Sequence, residues 1–404
     1  MSWTPTSLAD ALSTAKVFVD GDWVESKDQD PEGDVRLIQL ADVGDGCYVD
    51  KSNRFLTSSA ANRLKCTFLE SGDKLIARMP DPLGRACIFP GDTKRAVTVV
   101  DVCIIRVDPE RMYAPWLVHC INSSISRSQI AGYVTGTTRQ RISRGNLGKI
   151  QIAVPPLPEQ RRIAAILDQA DALRAKRREA LAQLDSLTQS IFIEMFGDPA
   201  VGTPKSAVYP LESLLEESFQ NGAYFQKEVY CEEGGVEMVH MSDAFGGTVL
   251  RGKLRRVSCD ANDVQKYSLG TEDILIARRS LTYEGAAKPC MIPNSTDPLI
   301  FESSFIRIKA DKTRITPLYL FHYLNNERVR QKHVRPYVTQ STISGINQSN
   351  LAQVPVMQPP LEQQKEFGSR IAAVEALKNV HLISLTQLDS LFASLQHRAF
   401  RGEL

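Results

Sequence analysis

The chain repeats itself, and no other feature limits its fold as strongly. PPLPEQ at 155–160 returns as PPLEQQ at 359–364, ADALR at 170–174 as VEALK at 374–378, and LAQLDSL at 181–187 as LTQLDSL at 385–391. Each of these pairs is displaced by 204 positions. Upstream, GDKLIAR at 72–78 pairs with EDILIAR at 272–278, IQLAD at 38–42 with VHMSD at 239–243, Cys87 with Cys290 and His119 with His322. Each half is therefore a globular unit followed by a long segment of different character, and the tails match better than the units do. Two similar scaffolds carrying two different surfaces suit two different ligands or half-sites.

The tails are helical by period. Ile163, Ile166, Ala170, Leu173, Arg177, Ala180, Leu184, Leu187 and Ile191 occupy heptad positions a and d, with Leu167 and Leu181 widening the stripe. Phe367, Val374, Leu377, Leu388, Leu391 and Leu395 repeat the pattern in the second tail, where Gly368 is a mild blemish. PPLP opens the first helix and GDP at 197–199 closes it. A helix of about 38 residues spans roughly 57 Å, too long for one small domain. Its apolar stripe needs a partner helix, and the other tail is the obvious one, giving an intramolecular coiled coil. Arg177 and His381 interrupt the two stripes at equivalent points and read as snorkelling residues or polar register devices.

The globular units read as mixed α/β. VRLIQL, KLIAR, AVTVVDVCIIRV, ILIARR and SSFIRIKA look like strands. APWLVHCINS at 114–123 and TPLYLFHYLNNERVRQ at 316–331 look like helices, on which His119 and His322 are expected to be structural. The expected boundaries are 1–156 for the first unit, 157–196 for the central helix, 197–358 for the second unit and 359–404 for the last helix.

With 404 residues and a formal net charge of +1, bulk charge alone argues against a nucleic-acid partner, so its distribution must decide. Between Glu110 and Glu159 there is no acidic residue, while Arg111, Arg127, Arg139, Arg141, Arg144 and Lys149 lie there. Between Glu327 and Glu362 there is again none, and Arg328, Arg330, Lys332 and Arg335 lie there. Both zones contain polar runs, GTTRQRIS at 136–143 and VTQSTISG at 338–345. Arginine neutralises phosphates and can pair bidentately with guanine, and glutamine can pair with adenine. Recurrence in both halves marks Thr138, Arg139, Gln140, Arg141 and Arg144, with Arg330, Arg335, Gln340, Ser341 and Thr342, as candidate DNA contacts. A second candidate surface follows the LIAR strands: Arg78, Arg278, Arg279 and Ser280, with Tyr283 nearby. Structural pairing of one of these arginines with an aspartate is the competing expectation.

Catalytic motifs are missing from the sequence. It has no G-x-x-x-x-G-K-[ST] phosphate loop, no G-x-G-x-x-G after a strand and no NPPY-like methyltransferase motif. Asp22, Glu25 and Lys27 are a cramped version of a nuclease set. The eight cysteines form no C-x-x-C pair and read as reduced, mostly buried thiols. No stretch approaches the roughly 20 apolar residues of a membrane span, which points to a cytoplasmic protein.

The duplicated PPLPEQRRIAAILDQADALRAKR and PPLEQQKEFGSRIAAVEALKN segments, and the tail LDSLFASLQHRAFRGEL, resemble those of Type I restriction–modification specificity subunits. The resemblance spans the chain. It implies two target-recognition domains, each reading one half of a split double-stranded DNA site, and an antiparallel coiled coil that spaces them. It also implies docking of two methyltransferase subunits and, through them, restriction/translocase subunits. S-adenosylmethionine would then belong to the methyltransferase partner, and ATP and Mg to the restriction partner, with no cofactor, metal or catalytic residue in this chain. The competing classes are a fused modification or nuclease enzyme, disfavoured by the missing motifs, and a coiled-coil adaptor, disfavoured by the paired basic zones.

Overall fold

The computed structural model describes all residues except 1–2, 137–138, 199–205, 245–246, 294–296 and 341. It divides into two compact units, 1–179 with 382–404, and 180–381.

In the first unit β1 (Val17–Asp20), β2 (Val35–Ile38), β3 (Phe55–Leu56), β4 (Lys74–Ala77), β5 (Ala86–Ile88), β6 (Arg95–Thr98) and β7 (Val102–Arg106) build two sheets. The larger has the order β1-β7-β4-β5, antiparallel throughout; the smaller has the order β3-β2-β6, with β2 and β6 parallel. AVTVVDVCIIRV is therefore two strands in different sheets, joined by a turn at 99–101.

The run Val102–Ile105 is apolar at every position because the larger sheet is covered on both faces. Alternation sends Ile76, Cys103 and Ile105 toward Trp116, Leu117 and Ile121 of helix α1 (Ala114–Ile121). Leu75, Ala77, Val102 and Ile104 face the other way, toward Ile38, Phe89 and Ala96.

The second unit repeats this plan. β8 (Gln220–Asn221), β9 (Val236–Val239), β10 (Arg256–Val257), β11 (Asp273–Ala277), β12 (Pro289–Met291), β13 (Leu299–Phe301) and β14 (Phe305–Lys309) carry it. The larger sheet is β8-β14-β11-β12; β9, β10 and β13, with the added strand Tyr230–Cys231, form the other. Ile274, Ile276, Ile306 and Ile308 pack under α2 (Pro317–Asn325), and Leu275, Ala277 and Phe305 pack on the opposite face. The helix expected over 316–331 is interrupted at Asn326, whose backbone is extended and whose side chain accepts the N–H groups of Arg328 and Val329. An asparagine that caps a new turn ends the old one.

Two long helices are present, Leu157–Phe196 (40 residues) and Leu361–Arg401 (41 residues). Each unit draws on the start of one and the end of the other. Ile163, Ala164, Leu167 and Ala399 belong to the first core, with Phe392, Leu395 and Phe400 against it. Phe192, Phe196, Phe367 and Ile371 belong to the second. Compactness thus divides both helices near their middles, because their ends contribute to globular cores.

Within the first unit Arg174 Nε lies 2.6 Å from Asp389 Oδ1, and Arg162 donates to the Leu404 carbonyl at 2.8 Å. Within the second, Lys378 Nζ lies 2.9 Å from Asp185 and Arg370 lies 3.4 Å from Glu194. The heptad stripe is unevenly covered. Ile163, Ala170, Leu184, Phe367 and Val374 are buried, but Leu173, Leu187, Leu377 and Leu391 are about half exposed.

Candidate nucleic-acid interface

β1 and β4 are both antiparallel to β7, so their C-terminal ends share one sheet edge with the start of β7. The basic zone is brought to that edge as a short hairpin, closed by Thr135 and Arg141 exchanging backbone hydrogen bonds at 3.0 Å in each direction. Gly136 has φ +90°, and a Cβ there would meet the Arg139 carbonyl at 2.5 Å, so the bend requires glycine. Arg139 and Gln140 are exposed at the tip. Thr138 lies outside the described residues.

Arg78, one of the candidate DNA contacts, is engaged within the fold and holds the edge together. Only 6% exposed, its guanidinium lies 2.7 Å from Asp20 and donates to the carbonyls of Val100 (3.0 Å) and Ile142 (2.9 Å). Its backbone N–H donates to the Asp101 carbonyl, and its own carbonyl accepts from the Ile142 N–H. One arginine thus ties the end of β1, the β6–β7 turn and the hairpin together through its Nε and Nη1. Arg141 pairs with Asp101, so this part of the acid-free sequence interval is neutralised in space. Arg144 is tied to the Phe18 carbonyl at 3.0 Å and sits over the Phe18 ring.

The second unit forms the same edge at the C-terminal ends of β8 and β11. Thr339 and Gly345 close the equivalent hairpin, displaced by the same 204 positions as the tails. Ile346 N–H donates to the Arg278 carbonyl as Ile142 does to that of Arg78. Here Arg279–Ser280 pairs directly with Ser344–Gly345. The two candidate surfaces read from the sequence, the LIAR strand ends and the polar zones, are therefore one surface.

The chemistry of the two edges differs. Asn221 stands where the first unit has Asp20, Ser304 where it has Asp101, and Gly345 where it has Arg141. Arg278 keeps a long 3.4 Å bond to the Ser303 carbonyl and has no carboxylate partner among the described residues. Arg279, Gln340 and Thr342 are exposed, and Ser341 lies outside the described residues.

Two further candidates are buried and bonded within the fold. Ser280 is 8% exposed, and its hydroxyl accepts the Thr282 N–H, so it shapes a turn. Arg330 is 3% exposed and donates to the carbonyls of Glu284, Ala286 and Ala287, fastening that loop from beneath. Arg335 is half-buried, pairs with Glu327 at 2.8 Å and sits over the Tyr283 ring.

Reading the sequence for charge misses the aromatics at this edge. Trp23 is 68% exposed and Tyr224 82% exposed. Each lies two residues after a glycine with no room for a side chain: a Cβ on Gly21 would meet the Val99 carbonyl at 2.3 Å, and one on Gly222 the Glu302 carbonyl at 2.2 Å. GDW at 21–23 and GAY at 222–224 are the legible signal, an aromatic at the same point in both repeats.

Other candidates resolve as structure. Asp22 accepts the Thr67 N–H, with burial raising its pKa, and Glu25 pairs with Lys27 at 2.6 Å. No metal-binding cluster of His, Cys, Asp or Glu exists among the described residues. His119 bonds Asp168 of the central helix at 2.7 Å, and burial holds the His322 imidazole down at about 4. Cys66, Cys87, Cys103, Cys120 and Cys290 are buried, and desolvation raises all five thiols.

The comparisons with known proteins agree with this duplicated architecture. A family model for the Type I restriction modification DNA specificity domain matches twice, over 22–183 and 205–387. The StySPI specificity subunit of Salmonella potsdam is 26% identical over 310 residues, covering 73% of this chain and 67% of that protein. The EcoKI specificity subunit of Escherichia coli K12 is 24% identical over 323 residues, with the same two shares. A chain from a structural study of type I R-M assembly and conformational transition aligns over 100% of this chain and 98% of its own, at TM-score 0.55 and 18% identity. The type I S subunit from M. genitalium aligns over 98% and 96%, at TM-score 0.51 and 13% identity. These structural likenesses concern the fold; the double family match carries the assignment, and the chain belongs to the family of Type I restriction–modification DNA specificity proteins.

Proposed function

We propose that this chain is the sequence-reading subunit of a Type I restriction–modification complex. Each globular unit, within 1–156 and 197–358, reads one half of a bipartite double-stranded DNA site. The observation that carries this reading is the pair of matched hairpins on equivalent sheet edges, with different exposed residues at their tips: Arg139 and Gln140 in one, Gln340 and Thr342 in the other. Equivalent supports with unlike tips are what two different half-sites require.

The two long helices act as an antiparallel coiled coil. Support comes from the order of pairings within each unit: Arg162 with Leu404 and Arg174 with Asp389 in one, Asp185 with Lys378 and Glu194 with Arg370 in the other. As one helix advances, its partner recedes. Leu173, Leu187, Leu377 and Leu391 leave apolar surface along the rod for two methyltransferase subunits, which bring the restriction/translocase subunits with them. No helix among the described residues is long and apolar enough to cross a membrane, and a DNA-reading complex works in the cytoplasm. S-adenosylmethionine is assigned to the methyltransferase partner, and ATP and Mg to the restriction partner. This chain contributes recognition without catalysis.

Methyl transfer measured with this chain alone, with its methyltransferase alone and with both should appear at a defined bipartite site only in the mixture. Robust transfer by this chain alone would sink the reading.

The sheet-edge interface has an optical test. Of the three tryptophans, Trp116 is buried and Trp3 packs on the first core, leaving Trp23 as the exposed one. Titration with duplex DNA should quench part of the tryptophan emission, and Trp23→Phe should abolish that change. Arg139→Glu should move the titration to higher DNA concentration and lower the salt slope by about 0.9 for each phosphate that is no longer neutralised. Unchanged emission at saturation would place DNA on another face.

A further inference from the structure

Besides their prolines, the two tail motifs share a glutamine, Gln160 in PPLPEQ and Gln364 in PPLEQQ. Both are 1% exposed, at the start of the long helices. Gln160 Oε1 accepts the Tyr113 N–H at 2.7 Å, and its Nε2 donates to the carbonyls of Arg111 (3.3 Å) and Pro155 (2.9 Å). Gln364 Oε1 accepts the Thr316 N–H at 2.7 Å, and its Nε2 donates to the carbonyls of Arg314 (3.2 Å) and Pro359 (2.8 Å). The three bonds are the same in both halves.

These are not helix caps. A cap satisfies the free N–H groups of its own first turn. Here the side chain reaches across to the segment that leads into α1 or α2, joining it to the PP lead-in and the long helix. In each unit this places the junction between globular part and rod under one buried amide. Buried polar groups are costly to leave unpaired, so such a joint has one preferred geometry. A carboxylate of the same shape could accept but not donate, and a methionine could not donate and would accept only weakly.

We propose that Gln160 and Gln364 are positioning residues that fix the angle between each reading unit and its helix. On this proposal they set how strictly the complex measures the gap between half-sites. The proposal rests on the proposed function, in which the helices space two DNA-reading units. A ruler measures only as well as its ends are clamped: if a joint swivels, neighbouring gap lengths become reachable with the same half-site contacts.

The test uses the full chain assembled with its methyltransferase on duplexes that keep both half-sites and vary the gap one base pair at a time. The parent should favour one gap. Gln160→Met, Gln364→Met and the double variant should lower the preference for that gap over its neighbours by about tenfold, the scale of removing one hydrogen bond of ordinary strength. The half-site letters should stay unchanged. Hydrogen exchange on the same chains should show weakened protection at the Tyr113 and Thr316 amides, a readout that needs no activity. A double variant with the parent's gap profile would overturn the proposal. So would retained protection at both amides, which would show that the glutamines do not hold those segments, or single variants that do not fold, which would make them folding residues. A parent that accepts every gap equally would instead refute the ruler reading itself, whatever the variants do.

Discussion

Replacing Arg78 with methionine should destabilise the first unit by about 2–3 kcal/mol, whereas the same change at Arg278 should cost under about 1 kcal/mol and act on DNA binding instead. The two arginines end the same LIA motif on equivalent strands, so the sequence offers no reason to separate them. Their surroundings do. Arg78 is buried against Asp20, and its removal strands that carboxylate together with the Val100 and Ile142 carbonyls. Two features hold the figure below the roughly 3–5 kcal/mol of a fully buried broken pair. The Asp20 side chain is 32% exposed, and its approach to Arg78 is a charge contact rather than an aligned hydrogen bond.

Arg278 has Asn221 and Ser304 in place of the two aspartates and, among the described residues, one 3.4 Å bond to a carbonyl. A cation with no carboxylate partner among the described residues gives up little when it meets a phosphate. Its removal should lower the dependence of log K on log salt by about 0.9. Denaturant midpoints and salt titrations of both variants separate the two roles. If Arg78→Met leaves the midpoint unchanged and lowers the salt slope as much as Arg278→Met, then Arg78 reaches DNA and does not hold the edge.

This contrast also marks where the sequence stops being legible. The repeat, the two long helices and the polar zones can be read because each rests on local pattern: a fixed displacement, a heptad period, an absence of acids. Burial of a charged side chain rests on partners distant in the chain. Arg78 is fixed by residues near positions 20, 100 and 142, and Arg330 by carbonyls at Glu284, Ala286 and Ala287. Counting acids along 111–158 cannot reveal that Asp101, just outside that interval, neutralises Arg141. Trp23 escapes a sequence reading for the opposite reason. A lone surface aromatic has no pattern of its own, and only the matched glycines at 21 and 222 show that it recurs.

The half-exposed leucines follow the same logic. A heptad pattern records that an apolar stripe exists, but not how much of it one partner helix covers. Ile163 and Leu184 are buried, whereas Leu173 and Leu187 on the same stripe are about half exposed.

If the two helices pair as the proposed antiparallel coiled coil, the rod makes the strongest prediction, because its length and the helical phase of DNA would change together. Excising 178–184 and 379–385 removes one heptad from each helix at matching levels, between the Arg174–Asp389 and Asp185–Lys378 pairs. The rod shortens by about 10 Å, which at 3.4 Å per base pair is a gap about 3 base pairs shorter. A seven-residue excision turns the helix by only about 20° relative to its own surface. Three base pairs turn the DNA by roughly 100°, given 10–10.5 base pairs per turn. The two half-sites then present different faces to the reading units, and methylation should fall steeply even at the shortened gap.

Inserting three heptads at the same levels lengthens the rod by about 31 Å, or roughly 9 base pairs, close to a full DNA turn. That longer variant should therefore outperform a one-heptad insertion, despite the larger change. Selecting methylated sites from a pool of gap lengths gives the comparison directly. Activity that falls steadily with each added heptad, without recovery at three, would mean that the rod does not hold the two reading units in rotational register. An unchanged preferred gap in an active variant would mean that something other than the helices sets the spacing, and altered half-site letters would place base readout on the helices rather than on the hairpin edges.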